Sequence, residues 1–194
     1  LNAEAAKHDL VFLDSPMSGG ITGAHAGTLT FMVGGEAEQY EHAKQVLAGM
    51  GKNFFHCGKA GSGEIAKLVN NLILGINMIA ASEGLAIGEK LGMDPKVLCQ
   101  ICEVSTSRSW VMDTYNPRPG NKEASPASRN YEGGFQVGLI KKDLALALEA
   151  AQHGDANTEF TEKAIDYYRD LEKKGFGQRD FGFVFQYIFK NKKL

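Results

Sequence analysis

Apolar residues along this chain follow two rhythms, and the change falls near residue 62. Before it, short apolar runs alternate with glycine-rich breaks. Val11, Phe12 and Leu13 form one such run, closed by Asp14, Ser15 and Pro16, which predicts a buried strand delivering a loop at its carboxyl end. That loop is Ser18-Gly19-Gly20, followed by Gly23 and Gly27. A second strand is predicted over residues 28–33, stopping at Gly34-Gly35, and a helix over 36–50 through Ala37, Tyr40, Ala43, Val46 and Leu47. Phe54 to Cys57 reads as a third short strand before Gly58. Three strands and one helix make a poor independent layer, because so small a sheet leaves much of a face uncovered.

From Ser62 onward the period is 3.6. Ile65, Leu68, Val69, Leu72, Ile73, Ile76, Ile79 and Ala80 give an apolar surface running toward Leu91 that is wider than a solvent-facing helix needs, so the helix is expected to be buried on most sides. Gly92 can end it, and Asp94-Pro95 supplies an N-cap with proline at the first helical position of a helix reaching about Val104. Asn116-Pro117-Arg118-Pro119-Gly120 breaks the helical pattern and opens a connection to about Gly134, long enough to be functional or mobile. Further helices are predicted over 137–153, 158–173 and 180–189, the last with Phe181, Phe185 and Phe189 on one face.

Composition narrows the function classes. The chain has 194 residues, 43% of them hydrophobic, enough to bury a real core. Its 21 basic and 23 acidic residues nearly cancel, which removes the global field that would hold nucleic acid or an anionic membrane. Asn77, Glu83 and Glu89 interrupt the longest apolar region and argue against a membrane span. Cys57, Cys99 and Cys102 cannot close a disulfide framework, and Cys99-x-x-Cys102 lacks the second pair a thiolate zinc site wants, so packing is expected there and no metal site is predicted. The amino terminus lacks the regions of a signal peptide, and the chain reads as the carboxyl-terminal portion of a longer protein.

Few side chains stand out chemically. Lys67 lies in about the second turn of the long apolar helix, with Asn71 one turn later on the same face. It either snorkels at an edge or is held in a pocket, where desolvation and the positive helix end would lower its pKa toward that of a general base. Ser18-Gly19-Gly20 is either an ordinary turn or an anion cradle of backbone N–H groups with a hydroxyl, suited to a small carboxylate. Lys141-Lys142-Asp143 opens a helix, Arg108 is a candidate partner for an acid, and Trp110 is expected to pack. No G-x-G-x-x-G fingerprint with its acidic follower is present; Gly58, Gly61 and Gly63 have the wrong order.

The motifs Asp14-Ser15-Pro16-Met17-Ser18-Gly19-Gly20, Gly23-Ala24, Gly27-Thr28-Leu29, Gly61-Ser62-Gly63-Glu64-Ile65-Ala66-Lys67-Leu68-Val69-Asn70-Asn71, Phe135 and Lys141-Lys142-Asp143-Leu144 follow one another in an order that resembles the β-hydroxyacid dehydrogenase family. The resemblance covers nearly the whole chain, and Ser109 to Gly120 narrows it to one member. It implies an α/β remnant of a Rossmann-like domain over residues 1–60, followed by a mostly all-α substrate-binding and dimerisation domain over 61–194. A long interdomain helix would start near Gly63, with the active site between domains. It further implies that Lys67 is the catalytic base, that Ser18, Gly19 and Gly20 hold the substrate carboxylate, and that Asn71 positions the substrate with Asn70 in support. Phe135 and Lys142 would approach the cofactor, NAD. The implied reaction is oxidation of a small β-hydroxy acid to a semialdehyde in branched-chain amino-acid breakdown, by a homodimer or larger homo-oligomer in the mitochondrial matrix. The family's amino-terminal nucleotide fingerprint has no counterpart here, and Gly154-Asp155-Ala156-Asn157-Thr158 stands where the family has a proline-containing turn.

Two other readings stay open. One is a related NADPH-dependent reductase of a semialdehyde or glyoxylate, which uses much the same lysine and glycine motifs. The other is a noncatalytic helical dimerisation fragment.

Overall fold

The computed structural model describes residues 1–194. The fold is mixed α/β, with a small sheet near the amino terminus and helices elsewhere, and it divides into compact units at Leu1–Asn70 and Asn71–Leu194.

In the first unit a short helix α1 (Asn2–Ala6) precedes strand β1 (Met17–Ser18), helix α2 (Gly20–His25), strand β2 (Leu29–Gly34), helix α3 (Ala37–Leu47) and strand β3 (Gly51–Gly58). β2 lies in the middle, antiparallel to β1 and parallel to β3. The parallel pair needs a crossover, and α3 supplies it. Along β2 the alternation puts Leu29, Phe31 and Val33 on the buried face, where they pack with Tyr40 of α3. Tyr40 also donates its hydroxyl to the Phe54 carbonyl at 3.1 Å, and Phe54 stacks on Phe31.

Two expectations fail here. Val11 to Leu13 is not a strand; only Asp14 pairs, through an isolated antiparallel bridge to Gly34. Val11 is exposed, and although Leu13 packs against the core around Leu29, Phe31 and Val33, the backbone of the run has no strand partner before Asp14. The strand comes later, at Met17–Ser18, where a loop was expected, and β3 extends from Gly51 to Gly58 rather than over 54–57 alone.

Helix α4 (Ser62–Lys90) begins in the first unit and continues into the second. Its length and composition alone would allow it to cross a bilayer. It is less buried than its sequence suggests: Ile65, Val69, Ile73 and Ile87 are exposed. Met78, Ile79, Leu85 and Ala86 are buried, and Ser82 returns its hydroxyl to the Met78 carbonyl at 2.7 Å.

The second unit continues with α5 (Pro95–Val104), α6 (Trp110–Asp113), a 3₁₀ turn at Pro126–Arg129, α7 (Val137–His153), α8 (Glu159–Lys173), a second 3₁₀ turn at Phe181–Phe183 and α9 (Val184–Phe189). Asp94 caps α5 as the sequence predicts, accepting the Lys96 N–H at 2.8 Å. Met78, Ile140, Leu144, Ile165, Tyr168, Leu171, Phe181 and Val184 form the main core. Each large apolar side chain buried there is worth about 1.5–3 kcal/mol against exposure. Gly75 admits the Leu144 side chain against α4; a Cβ there would sit 3.2 Å from Leu144 Cδ2.

Phe181 and Phe185 are interior residues, not an exposed apolar surface. Trp110, by contrast, is half exposed and stacks on Tyr115 with centroids 4.7 Å apart. The connection over residues 116–134 is anchored. Buried Asn116 receives Ser125 Oγ at its carbonyl, Arg118 forks onto Glu89, and Tyr131 donates to the Pro117 carbonyl. Cys99 is buried and Cys102 half-buried, both free, and burial pushes the Cys99 thiol up to about 12, which suits packing rather than redox chemistry.

Candidate active site

The glycine-rich segment of the first unit has a defined shape. Gly19 (φ 131°) and Gly20 (φ 59°) both take conformations that a side chain disfavours. Gly19 is also hemmed in, since a Cβ there would lie 3.1 Å from Leu29 Cδ2, while Gly20 faces open space. Half-buried Ser18 pairs with Thr30 across β1 and β2. Exposed glycine backbone at the end of a strand gives a small acceptor group direct access to main-chain atoms.

Lys67 reaches this segment. Its ammonium donates to the Met17 carbonyl at 2.7 Å, across fifty residues of sequence, which places the nitrogen at the peptide that precedes Ser18. Of the two placements open in the sequence, an edge or a pocket, the lysine takes a tethered one at half-buried depth. Asn70 is exposed.

The start of α4 is fixed by a residue not singled out for chemistry. Asp14 is buried and accepts the N–H of Gly61 at 2.6 Å and of Glu64 at 3.2 Å, serving as a cap from another part of the chain. Gly34 and Gly63 both abut its carboxylate, and a Cβ on either would collide with it. Here Gly61 and Gly63 serve the cap.

In the second unit Asn71 is buried and donates its amide to Asp143 Oδ2 at 2.6 Å. The other oxygen of Asp143 lies 3.0 Å from Lys142 Nζ, so one carboxylate joins Asn71 to Lys142. Lys141 turns to Glu172. The Lys142 side chain is 62% exposed, and Phe135 is half-buried against Phe181. An exposed cation together with a partly open aromatic ring suits an anionic dinucleotide carrying a flat base, so these residues fit the implied cofactor.

Behind Phe135 lies buried Asp180. It accepts Tyr115 Oη at 2.7 Å and the Phe135 N–H at 2.9 Å on one oxygen, and the Gly182 N–H at 2.9 Å on the other. Burial pushes its carboxyl up to about 6, against the opposing pull of those hydrogen bonds. Asp143 and Asp180 carry no periodic signal, and their partners lie 72, 65 and 45 residues away.

Residues 61–188 match the family described as NAD-binding of NADP-dependent 3-hydroxyisobutyrate dehydrogenase. The chain belongs to the 3-hydroxyisobutyrate dehydrogenase family. Residues 1–58 additionally match the NAD binding domain of 6-phosphogluconate dehydrogenase. A probable mitochondrial 3-hydroxyisobutyrate dehydrogenase of Dictyostelium discoideum is 49% identical over 97% of this chain and 59% of its own. An NAD-dependent L-serine dehydrogenase of Pseudomonas aeruginosa is 46% identical over 95% of this chain and 62% of its own. Among solved structures, a Mycobacterium tuberculosis 3-hydroxyisobutyrate dehydrogenase with L-serine has a TM-score of 0.91 and 36% identity over 96% of this chain and 64% of its own. The chain thus spans about six tenths of the length of these family members.

Proposed function

We propose that this chain is the catalytic-lysine-bearing part of an NAD-dependent dehydrogenase of small β-hydroxy acids, with 3-hydroxyisobutyrate as substrate. The observation that supports it most directly is the 2.7 Å bond from Lys67 to the Met17 carbonyl, which ties the lysine to the peptide leading into Ser18-Gly19-Gly20. On this reading residues 1–60 belong to a Rossmann-like dinucleotide-binding domain and residues 61–194 form the helical substrate and dimerisation domain.

The substrate carboxylate would be held by Ser18, Gly19 and Gly20, where glycine backbone leaves room for oxygen atoms to approach main-chain donors. Lys67 in its amine form takes the hydroxyl proton; an amine keeps its lone pair whatever its N–H groups donate to. Asn71, with its amide fixed by Asp143, positions the substrate. Phe135 and Lys142 hold NAD, which when bound supplies the hydride acceptor. The substrate loses a hydride from its hydroxyl-bearing carbon and a proton from its oxygen, leaving methylmalonate semialdehyde. The protein's part is placement and electrostatics. Relatives named as mitochondrial support a mitochondrial setting; the matrix and valine breakdown belong to the proposal through the choice of 3-hydroxyisobutyrate as substrate.

L-serine is a second substrate reading. The Pseudomonas relative is named an L-serine dehydrogenase, and L-serine likewise carries a carboxylate two bonds from a hydroxymethyl carbon. Measuring kcat/KM of the full-length protein with NAD on (S)-3-hydroxyisobutyrate and on L-serine decides between them. A higher value for the hydroxyisobutyrate supports the first reading, and activity on neither refutes both.

A further inference from the structure

Three stretches of the second unit converge on the Asp180 carboxylate: Tyr115 after α6, Gly134-Phe135 before α7, and Gly182 in the turn before α9. The attachment at Phe135 is made twice more. Its N–H also lies 3.2 Å from Tyr115 Oη, and its carbonyl accepts the Phe181 N–H at 2.7 Å. Gln136 bridges antiparallel to Asp180, and the Asp180 N–H donates to the Tyr131 carbonyl. Gly134 (φ 73°) passes so close that a Cβ would collide with both the Asp180 carboxylate and the Tyr115 hydroxyl. Tyr115 is braced in turn by Trp110. Such a set of bonds fixes a main-chain position more tightly than packing around a half-buried ring requires.

We propose that Asp180, with Tyr115, is the positioning residue for Phe135, holding that backbone so that the ring is set for the nicotinamide cofactor. This rests on the reading above that Phe135 approaches NAD. Asp180 is only 1% exposed and acts through Phe135, not on the cofactor.

The test uses the full-length protein and four variants: Tyr115→Phe, Asp180→Asn, Phe135→Ala and the double variant Asp180→Asn/Phe135→Ala. Tyr115→Phe keeps the ring stack and deletes one hydroxyl, so it remains informative if Asp180→Asn does not fold. Calorimetry gives the NAD dissociation constant, amide hydrogen exchange reports on the Phe135 N–H without cofactor, and steady-state kinetics separate KM for NAD from KM for the hydroxy acid. Losing one net hydrogen bond should weaken NAD binding roughly three- to tenfold in Tyr115→Phe. The Phe135 N–H should exchange faster, with the KM for the hydroxy acid unchanged within about twofold. In the double variant the loss should not exceed that of Phe135→Ala alone, because the ring through which Asp180 acts is gone. If Phe135→Ala weakens NAD binding while Tyr115→Phe and Asp180→Asn do not, or if the losses in the double variant add in full, the positioning role is overturned. If Phe135→Ala leaves NAD binding unchanged, Phe135 is not a cofactor residue, and the positioning role falls with that assignment.

Discussion

The carboxylate of Asp14 accepts the backbone N–H of Gly61 at 2.6 Å, so the helix carrying Lys67 is capped by a residue 47 positions upstream. The same side chain takes the Glu64 N–H, and its backbone exchanges both N–H···O bonds with Gly34. Replacing it with alanine leaves helix-end donors without their acceptor in a buried place. Asp14→Ala should therefore destabilise the unit spanning residues 1–70 by about 2 kcal/mol, and Asp14→Asn by less. Urea unfolding followed by circular dichroism measures this; a loss below about 0.5 kcal/mol in the alanine variant would show that the cap contributes little.

Lys67→Ala should act on turnover instead. On the proposed reading Lys67 is the proton acceptor, and removing it should cost on the order of two to four powers of ten in rate while the substrate carboxylate keeps its own contacts. Single-turnover reduction of NAD at saturating substrate is the measurement, with circular dichroism confirming the fold. A folded variant that retains more than about a tenth of the parental rate returns Lys67 to a structural role.

Asn71 and Asp143 should behave as one unit. Their contact joins an amide donor to a carboxyl oxygen at 2.6 Å in a half-buried setting. In a double-mutant cycle on kcat/KM, Asn71→Ala and Asp143→Ala should show a coupling of about 1–2 kcal/mol. Independent, additive effects would mean that Asp143 does not orient Asn71.

Asp180 imposes a pH dependence of unusual sign for a carboxylate. Burial raises its folded pKa from the ordinary 3.8 to about 6, so the folded state holds a proton that the unfolded state has released. Its contribution is fully favourable below about pH 4 and is lost as pH rises through 6, by at most about 3 kcal/mol. The groups facing it are Tyr115, Tyr168, Tyr131 and Arg129, of which only Arg129 is cationic. Unfolding free energies of parent and Asp180→Asn, measured from pH 4 to 7, should show the parent's relative stability falling across that window. A flat or rising difference would contradict this.

The exposed face of α4 leads to an expectation about assembly. Ile65, Val69 and Ile73 repeat at four-residue intervals and expose apolar surface, with Ile87 farther along the helix. The full-length protein is expected to be at least a dimer. Sedimentation at several concentrations showing only monomer would count against it.

Helices of the second unit were legible because local signals and burial agree there. Asp94-Pro95 caps α5, and the predicted bounds of α7, 137–153, are those observed. The first unit was harder to read. α2 contains Gly20 and Gly23, which oppose helix formation, yet it forms where Gly23 packs against Leu29 and its carbonyl takes the Thr28 N–H at 2.8 Å. β1 is two residues long and exists only through its pairing with β2, so no alternation could announce it. Lys67, Ser18 and Asn71 were visible as residue types in a pattern. Their fixing partners, the Met17 carbonyl and Asp143, were not, because contacts across fifty or more residues leave no periodic trace.

The crowding around Asp14 has a consequence for redesigning this chain. A Cβ on Gly34 would strike that carboxylate and one on Gly63 would strike both it and the Met32 carbonyl, so Asp14, Gly34 and Gly63 form one steric unit in this chain. A library meant to change substrate choice around Lys67 should hold those three positions constant and vary the neighbours of Gly20, where the chain leaves open space.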